Sequence, residues 1–456
     1  MLLEFKVGNY KSIKEMQTFS MLRSSRENSL KDNYSTINIK KIGDSSKCID
    51  VLKTSAIYGA NASGKSNLIH SMFVLQTLII NSYKNQQGTL LPVVPYRLND
   101  IYKDLPTYFE VIFIENSTKY RYLLRLTQCK IIEECLYCYP NGRETKVFTR
   151  KDNEIKINFN ISKTLDEKDK VRQQIYAEDI ANNILFLSLA NRIKLEEVKS
   201  AFNWFATKLV VIPDHRHLVS TTTPMLSYND IDSSTVLKYL KMADPLISNI
   251  NIETIEPKDN NDPRFSRIKQ DFITKMKESN PSINIDELFV DNNLAILREK
   301  FYRYGSDKDG KIKNIEFTLN EESRGTQKFY SLIGPLFNSL KKGHVLVCDE
   351  FETSLHPLLM QGIIEIFTSI ENNSNAQLII STHDVNLLDK NNLFRKDQIW
   401  FVEKNYLGES EVYSVSDFNK TSRKDLSSKS YLKGKFGAIP EVDVWELIND
   451  MQERIS

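Results

Sequence analysis

The amino-acid sequence predicts an α/β fold with a mixed central sheet, an antiparallel β-subdomain and a mostly helical insertion. Apolar runs at residues 55–58 and 343–348 predict buried strands of the central sheet, because one leads into a glycine-containing loop and the other into two acids. Alternating apolar and polar residues between 107 and 139 predict the antiparallel strands. Helical signals between 160 and 305 predict the insertion.

Length and composition indicate a folded protein of about two or three structural units. The chain has 456 residues, of which 41% are hydrophobic and 26% charged, and its formal net charge is +2. No apolar run approaches the length of a membrane span, and Glu4 and Lys6 interrupt any leader peptide at the N-terminus. The five cysteines are scattered along the chain and are expected to be reduced. These features predict a cytoplasmic protein without a membrane partner.

The strongest motif is a G-x-x-x-x-G-K-[ST] phosphate loop at residues 59–66. It lies between a predicted strand and a predicted helix, so its backbone N–H groups and the helix N-terminus can surround a phosphate. Lys65 is expected to contact the β- and γ-phosphates of ATP, and Ser66 is expected to bind Mg²⁺. The residues expected to bind nucleotide in and beside this loop are Gly59, Asn61, Gly64, Lys65, Ser66 and Asn67.

Two further strand ends carry residues that can act on a bound nucleotide. One delivers Asp349 and Glu350 in a Walker B pattern, in which Asp349 would hold Mg²⁺ through water and Glu350 would polarise the attacking water. The next apolar run delivers His383, which can contact the γ-phosphate and position water. The alternative for that strand end is a helix cap formed by Ser381 or Thr382, with His383 incidental.

The motifs divide the chain into three segments. We expect residues 1–140 to form the first half of the ATPase lobe and residues 309–456 to form the second half. Residues 141–308 are the insertion. Its expected helices lie at 175–205, 232–242 and 264–277.

Two spacings that are compatible with metal binding have simpler explanations. Cys135 and Cys138 lie in a predicted strand, and no second cysteine pair completes a zinc site. His215 and His217 could face a metal from one side of a strand, but the sequence favours a surface turn after Pro213.

The order of the motifs resembles that of ATP-binding-cassette (ABC) ATPases of the SMC and recombination type. These motifs are the phosphate loop, residues 323–327, Asp349 with Glu350, residues 352–357 and residues 381–384. Among these ATPases the chain looks most like bacterial abortive-infection ATPases, which are related to the OLD proteins and to the ATPase subunits of two-component anti-phage systems. The closer match lies in segments 5–12, 322–327, 397–404 and 431–440, and it is weakest from 140 to 305.

The resemblance implies a site that is shared between two subunits. Ser323 and Gly325 would form a variant signature motif that contacts the γ-phosphate of ATP bound to a second subunit, although Arg324 replaces the small residue usual there. Ser354 would belong to the loop that links the two sites, and Lys11 would touch the nucleotide. The expected assembly is therefore a homodimer or higher oligomer that closes around ATP and Mg²⁺.

The resemblance also implies an ATP-dependent switch in anti-phage defence. ATP binding would close the dimer, and hydrolysis would release it. A separate effector, such as a nuclease or a Toprim-like protein, would carry the toxic activity, and a phage component would trigger it. The alternative is a DNA-repair or chromosome-maintenance ATPase that clamps DNA directly, which predicts salt-sensitive DNA binding. The long insertion and the variant signature argue against a third class, the motor subunit of a membrane transporter.

Overall fold

The computed structural model describes residues 1–39, 47–140, 142–161, 166–189, 195–214, 221–255, 296–390, 392–418 and 425–440. The expected helix at 264–277 and the pair His215 and His217 lie outside these residues. The chain divides into two compact units. One comprises Met1–Pro213, Ser339–Phe351 and Gln361–Ser456, and the other comprises Asp214–Asn338 and Glu352–Met360. The segment boundaries expected at 140 and 308 stay predictions.

The described residues form the following strands and α-helices. The strands are β1 (Leu2–Gly8), β2 (Gln17–Ser20), β3 (Tyr34–Ile39), β4 (Lys47–Leu52), β5 (Thr54–Tyr58), β6 (Thr107–Glu115), β7 (Thr118–Leu126), β8 (Ile131–Cys138), β9 (Thr145–Lys151), β10 (Glu154–Ile157), β11 (Leu209–Ile212), β12 (Ile247–Ile255), β13 (Ile296–Ser306), β14 (Ile312–Thr318), β15 (Val345–Cys348), β16 (Gln377–Ser381), β17 (Ile399–Lys404) and β18 (Ser410–Ser414). The helices are α1 (Lys65–Asn81), α2 (Glu167–Glu178), α3 (Glu196–Asn203), α4 (Thr222–Ser227), α5 (Ser233–Ala243), α6 (Arg324–Lys342), α7 (Pro357–Thr368) and α8 (Ser428–Leu432).

The central sheet of the first unit has six strands in the order β11-β15-β16-β5-β17-β18. Neighbouring strands from β11 to β17 run parallel, and β18 runs antiparallel to β17. Every residue of β5, β15 and β16 is buried, which explains why these strands are predominantly apolar in sequence. The predicted mixed central sheet is confirmed.

An antiparallel sheet of seven strands forms the β-subdomain of the same unit. Its order is β10-β9-β8-β7-β6-β1-β2, so the N-terminal strand pairs with β6. The predicted alternation appears as burial on one face, where Phe113 of β6 stacks on Trp204 with ring centroids 4.3 Å apart. Cys135 and Cys138 lie in β8, as the strand interpretation predicts, and both are buried.

The segment from 141 to 308 contains strands as well as helices. The signal expected at 175–205 corresponds to α2 and α3 at the two ends of this range, and the described residues 179–189 between them are not α-helical. The predicted helix at 232–242 corresponds to α5. Within the described residues, however, β9 and β10 extend the antiparallel sheet and β11 forms an edge of the central sheet. The run 209–212 has four apolar residues, which is too short for periodicity to assign it to a helix or a strand. Its pairing with β15, which places Val210 opposite Leu346, decides its conformation.

The second unit is built on a three-stranded antiparallel sheet, β12-β13-β14. Its helices are joined by the hydroxyl of Thr222, which donates to the carbonyl of Tyr330 at 2.6 Å and accepts from the N–H of Gly334 at 2.8 Å. The ring of Tyr330 meets Phe301 of β13 edge to face at 5.3 Å. These contacts fix the first half of α6 against α4 and the sheet.

Candidate nucleotide-binding site

The predicted site residues of the first unit follow strands that end at one edge of the central sheet. Because β15, β16, β5 and β17 are parallel neighbours, their carboxyl ends lie side by side. The phosphate loop follows β5, the two acids follow β15, and His383 follows β16. The sheet topology therefore brings together residues that lie more than 300 positions apart in sequence.

A cleft of about 450 Å³ opens at this edge of the sheet. Its lining residues are Asn61, Ala62, Ser63, Gly64, Lys65, Ser66, Asn67, Glu350, His383 and Lys404. A larger cleft of about 1160 Å³ shares several of these residues and is lined in addition by residues that include Gly59, Tyr431, Leu432, Ala438, Ile439 and Pro440. We call the smaller one the phosphate cleft, because it contains most of the phosphate loop.

The two glycines that frame the loop are required by close contacts. Gly59 has φ +156°, and a Cβ there would lie 2.3 Å from the carbonyl oxygen of Val402. Gly64 has φ +117°, and a Cβ there would lie 2.2 Å from the hydroxyl of Ser410. Any side chain at either position would collide with β17 or β18. The loop thus keeps the bare backbone that a bound phosphate needs.

Polar groups inside the loop are suited to an anion. The ammonium group of Lys65 is buried and donates to the carbonyl oxygens of Gly59 at 2.8 Å and Ala60 at 2.9 Å. The hydroxyl of Ser63 is also buried and has no hydrogen-bond partner among the described residues. A buried cation and an unpaired hydroxyl in one loop, next to the exposed residues Asn61 and Ala62, fit a polyphosphate.

The two acids after β15 differ in environment although they are adjacent. Asp349 is buried and accepts a hydrogen bond from the hydroxyl of Ser381. Glu350 is exposed, lines the phosphate cleft and has φ +44°, a left-handed conformation that costs energy for a residue with a Cβ. This backbone turn points the two carboxylates into different surroundings, as the separate roles predicted for them require.

Ser66 and Asp349 are the residues predicted to bind a metal ion; Ser66 lines the phosphate cleft, whereas Asp349 is not among its lining residues. Ser66 lies in the first turn of α1 and is exposed to the phosphate cleft. His70 lies one turn further along the same helix face. Burial lowers the pKa of His70, as does Lys11, whereas the Asp349 carboxylate raises it. Oxygen ligands of this kind fit Mg²⁺.

His383 lies at the cleft as predicted, but the helix-cap alternative has to be corrected. His383 is exposed and lines both clefts. Ser381 bonds to the two acids, and the cap of the short helix that follows is Asp384, which accepts from the N–H of Asn386 at 3.0 Å. The site and the cap are therefore formed by different residues of the same turn.

Lys11 lies beside α1 and outside the residues that line the two clefts. Its ammonium nitrogen is 3.3 Å from Nδ1 of His70, and its backbone is left-handed with φ +49°. Burial lowers the pKa of Lys11. The hydroxyl of Tyr10 is 2.6 Å from the same His70 nitrogen, so a small polar cluster holds the N-terminal loop against the helix.

The predicted signature residues lie together in the second unit. Ser323 caps α6, because its hydroxyl accepts from the N–H of Thr326 at 3.1 Å. Gly325 lies in the first helical turn, and a Cβ there would lie 2.7 Å from the carbonyl oxygen of Ser354. Ser354 is exposed and left-handed with φ +62°. Signature and linking loop are thus in contact within one chain.

Two side chains that contribute to the site were not identified from the sequence. Lys404 at the end of β17 lines the phosphate cleft, and Ser410 at the start of β18 donates to the carbonyl oxygen of Ser63 at 2.6 Å. The sequence signal that could have identified Lys404 was its position at the end of an apolar strand. Ser410 is an isolated serine, and its distance of 347 residues from Ser63 left no local pattern.

The described residues contain neither a candidate metal cluster nor a candidate membrane-spanning helix. No group of three or more histidine, cysteine, aspartate or glutamate residues suited to a metal ion occurs there, and this includes the surroundings of Cys135 and Cys138. No described helix combines the length and apolar character that crossing a bilayer requires.

Comparison with known proteins gives a family match over most of the chain. The family described as "AAA domain, putative AbiEii toxin, Type IV TA system" matches residues 55–389. This range contains the phosphate loop, Asp349, Glu350 and His383. No curated protein matches the chain.

Solved structures of SMC head domains are similar to the chain at low identity. The SMC head bound to the C-terminal winged-helix domain of ScpA is 12% identical with a TM-score of 0.38, covering 91% of this chain and 97% of that one. The SMC head domain from Thermotoga maritima is 12% identical with a TM-score of 0.35, covering 91% and 98%. The SMC head with an extended coiled coil, bound to the ScpA C-terminal domain derived from Pyrococcus furiosus, is 13% identical with a TM-score of 0.34, covering 91% and 96%.

Proposed function

The chain belongs to the family described as AAA domain, putative AbiEii toxin, Type IV TA system, and from this premise we propose that it is an ATP-binding and ATP-hydrolysing switch subunit of a bacterial anti-phage system. The observation that supports this proposal is the phosphate cleft, which is lined by residues of the phosphate loop, by Glu350 and by His383. The resemblance to abortive-infection ATPases supports a role in defence against phage, and the family description names a putative AbiEii toxin of a Type IV TA system. An abortive-infection ATPase related to the OLD proteins is the specific type proposed, acting in the cytoplasm.

Each residue of the cleft has a role that follows from its position. Lys65 would exchange its bonds to the carbonyls of Gly59 and Ala60 for phosphate oxygens, since an ammonium group prefers charged acceptors. Ser66 and Asp349 would hold Mg²⁺, which supplies charge neutralisation at the terminal phosphates. Glu350, exposed in the cleft, would accept the proton of the attacking water, and His383 would orient that water.

A second copy of the chain would complete the site. Ser323 is exposed at the N-terminus of a long helix, where backbone N–H groups favour an anion. Gly325 and Ser354 contact each other, so a phosphate bound at the signature motif would also affect the conformation of the linking loop. We propose that ATP and Mg²⁺ close a homodimer in this way and that hydrolysis opens it.

A separate effector would carry the toxic activity. We propose a nuclease or a Toprim-like protein, which the dimer would restrain or release according to its nucleotide state. A phage component would trigger the change. In the rival function, a repair or chromosome-maintenance ATPase, DNA itself would bind the dimer and the affinity would fall steeply with salt.

The substitution Glu350→Gln tests the catalytic assignment. We expect the variant to bind ATP with the affinity of the wild type and to hydrolyse it about 100-fold more slowly or worse, because a glutamine amide does not accept the proton. Nucleotide affinity is measured by calorimetry and hydrolysis by phosphate release. The matched control is Glu371→Gln, an exposed glutamate outside the lining of either cleft. Undiminished hydrolysis by Glu350→Gln would refute the assignment.

Association is tested with the same variant, and defence with Lys65→Ala. Glu350→Gln should accumulate as an ATP-bound dimer in sedimentation, and adding Ser323→Ala should return it to the monomer. Cells that carry the wild-type chain and its neighbouring genes should reduce phage plating, and Lys65→Ala should abolish that protection. Equal protection with Lys65→Ala would contradict the switch. Tight, salt-sensitive DNA binding by the isolated dimer would instead support the DNA-clamping function.

A further inference from the structure

A lysine at the end of a central strand enters the phosphate cleft beside the phosphate loop. Lys404 is the last residue of β17, which pairs in parallel with β5 so that Phe401 lies opposite Tyr58. Lys404 ends β17 three residues beyond Phe401, and the phosphate loop begins directly after Tyr58, so both lie at the carboxyl edge of the sheet.

Lys404 lines both clefts together with loop residues and His383. The phosphate cleft therefore has Lys65 at the base of the loop and Lys404 at its side. The larger cleft brings Lys404 next to the loop's first residues, Gly59 and Ala60. A polyphosphate in this space would pass between two cations, and each would reduce the repulsion among its oxygens.

The hairpin that carries Lys404 is fastened to the loop and to the N-terminal segment. Ser410, which pairs with Lys404 in the hairpin, donates its N–H to the carbonyl of Ser12 at 2.8 Å and its hydroxyl to the carbonyl of Ser63 at 2.6 Å. Lys14 forms an ion pair with Glu409 at 2.7 Å. The backbone at Lys404 is therefore held in position before any ligand binds.

Two carboxylates of the hairpin that carries Lys404 are engaged by other groups. Glu403 accepts from the hydroxyl of Tyr413 at 3.0 Å, and Glu409 is paired with Lys14. Within the described ranges Lys404 forms no ion pair, and its side chain is exposed to the cleft. Its charge is thus available to a ligand.

We propose that Lys404 is a phosphate-contacting residue, which binds the terminal part of the polyphosphate and lets the site distinguish a triphosphate from a diphosphate. This assignment rests on the proposed function of the same cleft. His383 lines both clefts as well, so Lys404 and His383 would approach the terminal phosphate from β17 and β16, the two strands that flank β5. Hydrolysis would remove the phosphate that Lys404 contacts. The ATP-bound and ADP-bound states would therefore differ in binding free energy.

The test compares the affinities of a non-hydrolysable ATP analogue and of ADP for the full chain. We expect Lys404→Ala to weaken binding of the ATP analogue about tenfold or more and binding of ADP less than about threefold, as for loss of one charge-assisted contact. Lys404→Arg should retain most of the affinity. The control is Lys433→Ala, an exposed lysine of the same C-terminal region that lines neither cleft.

Three results would overturn the assignment, and they can be told apart. Unchanged affinity of Lys404→Ala for the ATP analogue would show that Lys404 is a solvated surface lysine. An equal loss of affinity for the ATP analogue and for ADP in Lys404→Ala, together with a lower melting temperature, would show that Lys404 only supports the hairpin. A wild-type chain that binds neither nucleotide would refute the proposed function and, with it, the role of Lys404.

Discussion

The backbone N–H of Glu350 donates a 2.9 Å hydrogen bond to the side-chain oxygen of Ser381. The same hydroxyl donates its proton to the carboxylate of Asp349. One serine at the end of β16 thereby fixes both acids at the end of β15. Since Asp349 is the proposed metal ligand and Glu350 the proposed base, Ser381 sets the geometry between two different chemical roles.

Replacing Ser381 by alanine should impair turnover more than nucleotide binding. The variant would leave the N–H of Glu350 and the carboxylate of Asp349 without this partner, so both acids would lose their orientation. We expect hydrolysis to fall about 10- to 100-fold, the usual effect of losing a residue that orients a metal ligand. ATP affinity, measured at saturating Mg²⁺, should change less than hydrolysis does.

Ser374→Ala is the matched control for this prediction. Ser374 precedes the opposite end of β16, and its hydroxyl bonds to the side chain of Asn372 at 3.1 Å. Hydrolysis by this variant should equal that of the wild type. If Ser381→Ala also hydrolyses ATP at the wild-type rate, the proposed dependence of the two acids on this hydroxyl is wrong.

Replacing Ser410 by alanine should weaken both the fold and nucleotide binding. The hydroxyl of Ser410 is buried, bonds to the carbonyl of Ser63 and lies 2.8 Å from the hydroxyl of Ser12, which in turn accepts from the side chain of Asn67. Leaving the carbonyl unpaired should lower the free energy of unfolding by about 1 to 3 kcal/mol.

The affinity for ATP should fall in the same variant, because the loop would lose the contact that holds Ser63 and Gly64 in place. Urea denaturation and ATP titration measure the two effects separately. Ser416→Ala serves as the control, since the hydroxyl of Ser416 bonds to Ser414 away from the loop. Wild-type stability together with wild-type affinity in Ser410→Ala would exclude a supporting role for the hairpin.

The sequence predicted those parts of the site that are contiguous in the chain. The phosphate loop and the two acids each follow an apolar strand directly, so strand order and residue type were enough to place them. The central and antiparallel sheets were predicted for the same reason, since burial on both faces or on one face leaves a periodic signal.

Contacts between distant segments could not be predicted in this way. Ser410 reaches Ser63 and Ser12 through the pairing of β17 with β5, and no local pattern encodes that pairing. The strand β11 was not predicted for a related reason. Its four-residue apolar run becomes a strand because it pairs with β15. Lys404 carried the right signal, a polar residue after a buried strand, but such residues are also common at surface turns.

Stability of the first unit should decrease on mild acidification because of His344. This residue precedes β15 and is 9% exposed, and its Nδ1 is buried with no hydrogen-bond partner in the described part of the chain. Burial lowers the pKa of His344 to about 4, and the nearby charges of Lys208 and Lys342 add to this effect. In the unfolded chain the pKa is about 6.5.

The sign of the effect follows from proton uptake. Between about pH 6.5 and about pH 4 the unfolded chain binds the proton and the folded chain does not, so acidification favours unfolding. The contribution of His344 is complete above about pH 6.5 and is lost as the pH falls towards about 4. From about pH 7.5 to about pH 5 this group alone should lower the free energy of unfolding by about 2 kcal/mol.

The variant His344→Gln isolates this contribution, because glutamine does not titrate. Urea denaturation at about pH 7.5 and about pH 5 gives the loss of stability on acidification for each protein, and carboxylates contribute equally to both. The wild type should lose about 2 kcal/mol more than the variant. The comparison depends only on the difference between the two losses, so a variant that is less stable at both pH values still tests it. Equal losses would mean that His344 is protonated in the folded chain as readily as in the unfolded one.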